Sequence, residues 1–225
     1  MKSIFKVLFV LCAAFTSSAQ ADVIDFEDVP EGTISTDVVS NGFRFLANRN
    51  GAIYFTNGVA CDPVCASNGT RTMLAPGPLL GGLGFADQVA VMRAGGGEFI
   101  LSSLEAAEVF SFPQTQDSAA RIDFVGLLGG LVVASGSLEL DLIVDGPGGV
   151  NDFQRFFLPG ATVDTYIFTG EGGVSGNDGF TLDNLVVEFD DGQSEVPEPG
   201  TLALGLLGAL GFAAGRKRRS SGKAA

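Results

Sequence analysis

The chain has 225 residues, with 26 Asp and Glu against 13 Lys and Arg, and it contains no histidine. Seven of the cations sit in the first 21 and last ten residues, so the stretch from Asp22 to Val196 carries six arginines against 25 acids, a formal charge of about −19. Such a charge repels nucleic acid and anionic membrane surfaces, and a chain without histidine cannot build a His-based catalytic triad.

The N-terminus reads as a targeting segment. Lys2 and Lys6 form a charged region, Val7 to Phe15 is apolar, and Ala19-Gln20-Ala21 is an A-x-A cleavage site. This is the pattern of a secretory signal peptide over residues 1–21, with Asp22 as the mature start. Cys12 lies in the apolar region behind Leu11, which is too large for a lipobox, so Cys12 is expected to leave with the signal.

From Val23 onward the apolar residues follow the period of strands. Val23–Glu27, Gly42–Leu46, Ala52–Phe55, Gln88–Met92, Glu98–Leu101, Leu104–Phe112 and Arg121–Val125 come first. Leu131–Val144 is long and alternates strictly over Ser137 to Leu142, and Phe153–Leu158, Val163–Phe168 and Phe180–Phe189 complete the set. Asn41-Gly42, Asn50-Gly51 and Asn57-Gly58 are hairpin dipeptides. No amphipathic helical run of a dozen residues interrupts them. Ten or eleven short strands predict an all-β domain over residues 22–190, a two-sheet antiparallel β-sandwich of jelly-roll type. Nineteen Phe and no Trp predict a Phe-rich core between the sheets.

Once the signal is removed, Cys61 and Cys65 are the remaining cysteines. In an oxidising compartment two cysteines so close predict a local disulfide that pins a loop. A zinc site would need further Cys or His ligands. Gly96-Gly97-Glu98-Phe99 spells the short core of the diguanylate cyclases, but it stands in an exported, strand-rich chain and reads as a turn. Asn68-Gly69-Thr70 has the form of a glycosylation sequon and reads as a loop.

The domain opens with Val23-Ile-Asp-Phe-Glu-Asp-Val29 and closes with Phe180-Thr-Leu-Asp-Asn-Leu-Val187. This opening and close are similar to jelly-roll modules of the MAM and carbohydrate-binding type. That resemblance implies that the first and last strands lie close together and share a structural calcium. Where such modules often carry a Trp, this chain has Phe156-Phe157. The residues themselves offer Asp25, Glu27, Asp183 and Asn184 as calcium ligands, since calcium takes six to eight oxygens. If Ile24 and Phe26 point inward, Asp25 and Glu27 share the outer face. Asp183 shares its parity with Leu185 and Val187 and would need a cation or hydrogen bonds if buried. The alternative is that all four are ordinary solvated acids and amides at strand ends. No cofactor beyond that calcium is expected.

The last stretch is the most specific. Val196-Pro197-Glu198-Pro199 falls within a linker at 191–200, an uncharged apolar run follows at 201–215, and Arg216-Lys217-Arg218-Arg219 open a basic tail at 216–225. Two prolines fix an extended segment. The run spans roughly 23 Å as a helix, short of the ~30 Å hydrocarbon core, and the flanking cations can snorkel to close the gap. The basic cluster predicts a cytoplasmic C-terminus behind a single transmembrane helix. This order resembles the PEP-CTERM sorting signal of Gram-negative bacteria. The resemblance implies export across the inner membrane, transient anchoring there, and cutting by an exosortase near the Pro-Glu-Pro motif. Three kinds of function fit such a chain: a non-enzymatic surface or matrix protein associated with exopolysaccharide, a carbohydrate-binding module, and a glycan-active enzyme.

Overall fold

Two antiparallel sheets form because the period-two segments of the sequence each have one apolar side to bury. The computed structural model describes residues 21–48, 51–57, 66, 68–76, 86–109, 118–141, 153–173 and 178–189. Residues 1–20 of the expected signal peptide, Cys61, Cys65, the sorting motif and the apolar tail lie outside the described residues.

The first sheet has eight strands. They are β1 (Ala21–Ile24), β2 (Ile34–Ser35), β5 (Ile53–Thr56), β6 (Thr72–Ala75), β8 (Phe99–Glu108), β11 (Gln154–Phe157), β12 (Thr162–Val163) and β14 (Phe180–Glu188). The order across it is β11-β8-β14-β6-β5-β2, with β1 also paired to β14 and β12 to β8. The second sheet has six strands, β3 (Asp37–Ser40), β4 (Phe43–Ala47), β7 (Gln88–Arg93), β9 (Arg121–Leu128), β10 (Leu131–Glu139) and β13 (Thr165–Glu171). Its order is β10-β9-β13-β7-β4-β3. The all-β sandwich read from the sequence is therefore the observed architecture, and its first and last strands are neighbours, Val23 opposite Val186 and Ile24 opposite Leu185.

The Asn41-Gly42 dipeptide makes the turn its residues demand. Both have positive φ, 47° and 78°, and Ser40 pairs with Phe43 across them. This is the backbone of a tight two-residue hairpin, whose twist matches that of the flanking strands.

Some strand bounds differ from the expectation, and Val163–Phe168 divides at Asp164 between β12 of the first sheet and β13 of the second. Glu98–Leu101 and Leu104–Phe112 were separate strands in the sequence, yet Phe99–Glu108 is one continuous strand. Phe99 and Leu101 face the core, and so do Leu104 and Ala106. Ser102 and Ser103 between them break the alternation, and the pairing with β14 shifts register there. A β-bulge of this kind bends a strand without ending it. The short strands β2, β3 and β6 carry too few alternating residues to be read from the sequence.

The core lies between the sheets and is built on Phe. Phe26 meets Phe45 at 5.0 Å and Phe55 at 5.5 Å, and Phe43 meets Phe99 at 5.1 Å, mostly edge to face. Such pairs contribute about 0.5–1.5 kcal/mol each beyond the area they bury. Tyr166 stacks on Phe168 in the same core and is fully buried. Its hydroxyl has no hydrogen-bond partner among the described residues, and burial raises its pKa. An unpaired buried hydroxyl costs about 1–3 kcal/mol. Tyr166→Phe is therefore expected to leave stability unchanged or raise it by about 1 kcal/mol in urea unfolding. A loss of similar size would mean that the hydroxyl is paired in solution.

Candidate functional site on the outer face of the eight-stranded sheet

The site is created by an irregularity in β14. Phe180 and Leu182 face the core, and so do Leu185 and Val187. The parity flips between them because Asn184 takes a left-handed φ of 47° and the register with β8 shifts between Asp183 and Val186. Asp183 therefore does not share a side with Leu185 and Val187. With Asn184 it turns to the outer face, where Asp183 pairs with Glu105 of β8 and Glu105 pairs with Arg155 of β11.

Although it faces outward, Asp183 is fully buried. Residues of the 68–70 loop fold over it. Asn68 Nδ2 donates to Asp183 Oδ2 at 2.6 Å, and the backbone N–H of Asn184 donates to Oδ1 at 2.7 Å. The Thr70 hydroxyl lies 2.8 Å from Oδ2 and 2.5 Å from Asn68 Oδ1. A hydroxyl has one proton and two lone pairs, so it donates to one of these oxygens at a time. When Asp183 is ionised, Thr70 can donate to it. When Asp183 is protonated, Thr70 can donate to Asn68 and accept the carboxyl proton. Burial is the main influence on the carboxyl and lifts its pKa to about 6, helped by the charge of Glu105 and opposed by these donors.

The network continues to the surface. Glu105 Oε2 accepts from Asn184 Nδ2 at 2.9 Å, and Glu105 Oε1 accepts from Arg155 Nη2 at 2.6 Å. The side chains of Arg155 and Glu105 are 60% and 17% exposed. A chain of contacts thus runs from a buried anchor at Asp183 to a solvent-facing guanidinium, fixing each side chain on the way.

The opening segment makes a separate network. Ile24 and Phe26 are buried, as their alternation predicts, and Asp25 and Glu27 point away from the core. Asp25 Oδ1 accepts from Asn41 Nδ2 at 3.1 Å and from the Glu27 N–H at 3.2 Å. Glu27 Oε1 accepts from the Arg71 N–H at 2.9 Å. Arg71 Nη1 donates to the Val29 carbonyl at 2.8 Å, and its Nε lies 3.3 Å from Glu31 Oε2 without the alignment of a hydrogen bond. These contacts tie the first strand to the loops beside it.

The structure does not gather Asp25, Glu27, Asp183 and Asn184 into one metal-ligand set. Among the described residues no three of Asp, Glu, His and Cys lie together as a metal site. Asp183 and Asn184 join Asn68, Thr70 and Glu105, whereas Asp25 and Glu27 join Asn41 and the Arg71 N–H. The residues that do join Asp183 are Glu105, Arg155, Asn68 and Thr70. Only the spacing of Asn68 and Thr70 stood out in the sequence, for a different reason. Gly96 and Gly97, with φ of 76° and 103°, make the turn before β8.

Fold and site together define an all-β sandwich whose outer sheet face carries a buried-carboxylate network. The PEP-CTERM protein-sorting motif matches residues 195–219 of the chain. The chain thus carries a PEP-CTERM sorting motif behind a β-sandwich domain, and the motif implies export, membrane-anchored sorting in Gram-negative bacteria and processing by an exosortase. No curated protein matches the chain. Among solved structures it is similar to the K1 cleaved adhesin domain of Lys-gingipain from Porphyromonas gingivalis W83, at 10% identity and a TM-score of 0.42, covering 75% of this chain and 97% of that one. A cyclase from Fischerella sp. TAU gives 12% identity and 0.43, covering 75% and 97%. The family 32 carbohydrate-binding module of NanJ from C. perfringens, in complex with galactose, gives 12% identity and 0.30, covering 76% and 93%. The fold assignment stands on the strand pairing described above.

Proposed function

We propose that this is a non-enzymatic protein of the cell surface or extracellular matrix, associated with exopolysaccharide. In this reading it is exported by the signal at 1–21, held in the inner membrane by a helix at 201–215, and released when an exosortase cuts in the linker at 191–200. The observation that carries it is the sorting motif at 195–219 placed directly behind a β-sandwich. In the oxidising compartment beyond the membrane Cys61 and Cys65 form a disulfide. Non-reducing peptide mapping of exported protein is expected to yield one linked Cys61–Cys65 pair, and two alkylatable thiols would contradict it.

A glycan-active enzyme would need two accessible carboxyl groups flanking a glycosidic bond. Asp183 and Glu105 face each other across adjacent strands, but Asp183 is sealed from solvent and held by donors. That favours a structural role for the pair. The carbohydrate-binding reading draws support from a different feature, an exposed Phe157 beside Arg155 and Glu105.

The sorting step is tested by cell fractionation in a Gram-negative host that has an exosortase. The native chain is expected at the surface or in the medium. A variant carrying Pro197→Ala and Pro199→Ala is expected to accumulate in the inner membrane. Equal release of both proteins would sink the reading.

A further inference from the structure

The outer face of the first sheet carries two rows of side chains at right angles to the strands. Strand pairing sets Phe157 of β11, Val186 of β14 and Val23 of β1 in one row, with Ser103 of β8 between the first two. Phe157 is 80% exposed and Val23 46% exposed. At the spacing of neighbouring strands the row runs roughly 14 Å from Phe157 to Val23. The next row along the strands holds Arg155, Glu105 and Asn184, joined by the hydrogen bonds described above.

We propose that this face binds a neutral polysaccharide, with the apolar row under the sugar rings and the polar row on their hydroxyls. The proposal rests on the exopolysaccharide association given above and names its site. Three observations lead to a glycan rather than another partner. First, an exposed aromatic ring in line with two aliphatic side chains, across the small Ser103, matches the C–H faces of pyranose rings, which are apolar while their edges carry hydroxyls. Second, the polar side chains are ordered before any ligand arrives. Arg155 is paired to Glu105, Glu105 to Asn184, and Asn184 adjoins the buried Asp183, so hydroxyl recognition would not have to meet the cost of freezing them. Arg155 keeps further N–H donors on an exposed guanidinium, and a carboxylate oxygen has lone pairs beyond the one bond shown here.

Third, charge narrows the class. Arg155 is the cation of this patch, and it is already balanced by Glu105. In a domain of about −19 an anionic polymer or an anionic membrane would be repelled, whereas an uncharged polyol would not. A protein partner would bury a wider apolar area than one row of three side chains offers.

The test is affinity gel electrophoresis of the processed protein recovered from the host. Gels contain the host's own exopolysaccharide, a neutral glucan, a neutral galactan, or alginate as the anionic comparison. Retardation by at least one neutral polymer is expected, and Phe157→Ala and Arg155→Ala are each expected to weaken it about tenfold. Leu131→Ser, on the edge of the other sheet, is expected to bind like the native protein. Both Phe157 and Arg155 are exposed, so thermal melts of the variants should match the native protein. No retardation by any neutral polymer, retardation by alginate alone, or unchanged binding in both variants would overturn the proposal. A protein that is correctly sorted but does not bind removes this site and leaves the surface-protein reading standing. A protein that is not sorted removes that reading, whatever its binding.

Discussion

Replacing Gly170 with alanine is expected to lower the stability of the domain by about 3 kcal/mol or more, a large share of the stability a domain of this size has. Gly170 lies in β13, where it pairs with Ile122 of β9. A Cβ atom there would sit 1.8 Å from the backbone oxygen of Asp178 and 3.1 Å from the ring of Phe180. The first neighbour is main chain, so no side-chain rotation relieves the clash. Moving β13 away would break the bond from the Gly170 N–H to the Asp87 carbonyl at 2.9 Å. Moving the 178–180 segment would drag Phe180, a fully buried core residue at the start of β14. Overpacking a well-packed interior costs about 1–3 kcal/mol when side chains can adjust, and here they cannot. Urea unfolding of the Gly170→Ala protein reads the effect. An unfolding free energy within about 1 kcal/mol of the native protein's would mean that the two segments are not in contact.

The second large effect is a pH dependence that belongs to Asp183. In the unfolded chain its pKa is about 3.9, and in the folded domain burial lifts it to about 6. The folded state thus holds the proton more tightly, so protonation favours folding. That stabilisation is fully present below the unfolded value and is lost as pH rises toward 6. Above that pH it stays lost. A difference of this size corresponds to about 2–3 kcal/mol. Relief of general repulsion among the other acids also raises stability as pH falls, so the comparison must be made against a protein that lacks only this titration. Asp183→Asn keeps the shape of the side chain and does not titrate. The native protein is expected to lose about 2–3 kcal/mol more than Asp183→Asn between pH 3.5 and pH 7.5 in denaturant unfolding. The same pH dependence in both proteins, or the opposite sign, would contradict the placement of Asp183 in a buried site.

The sandwich was legible in the sequence because each long strand carries its own signal. Phe43 and Phe45, Val89 and Val91, and Ile122 and Phe124 alternate with polar or half-buried neighbours, and burial follows that alternation. The outer-face network was not legible, because period two fails at the place where it forms. Leu182 and Leu185 both reach the core although three positions separate them, which requires the turn at Asn184. No local property of Asp-Asn distinguishes that bulge from an ordinary strand end. Arg155, Glu105 and Asp183 meet only because β11, β8 and β14 lie side by side, and that order is a matter of topology. Asn68 and Thr70 are 115 and 113 residues from Asp183 along the chain. The terminal neighbours β1 and β14 were anticipated, but the acids at their ends stand in separate networks, Asp25 and Glu27 with Asn41 and Arg71, Asp183 with Asn68 and Asn184.

The central claim is that a β-sandwich domain is delivered outward by a tail that is then removed. Intact-mass measurement of the exported protein, from a Gram-negative host with an exosortase, tests it most directly. The expected product begins at Asp22 and ends near Val196-Pro197-Glu198-Pro199, without the apolar run or Arg216 to Arg219. An exported product that retains Arg216 to Arg219 would contradict the account.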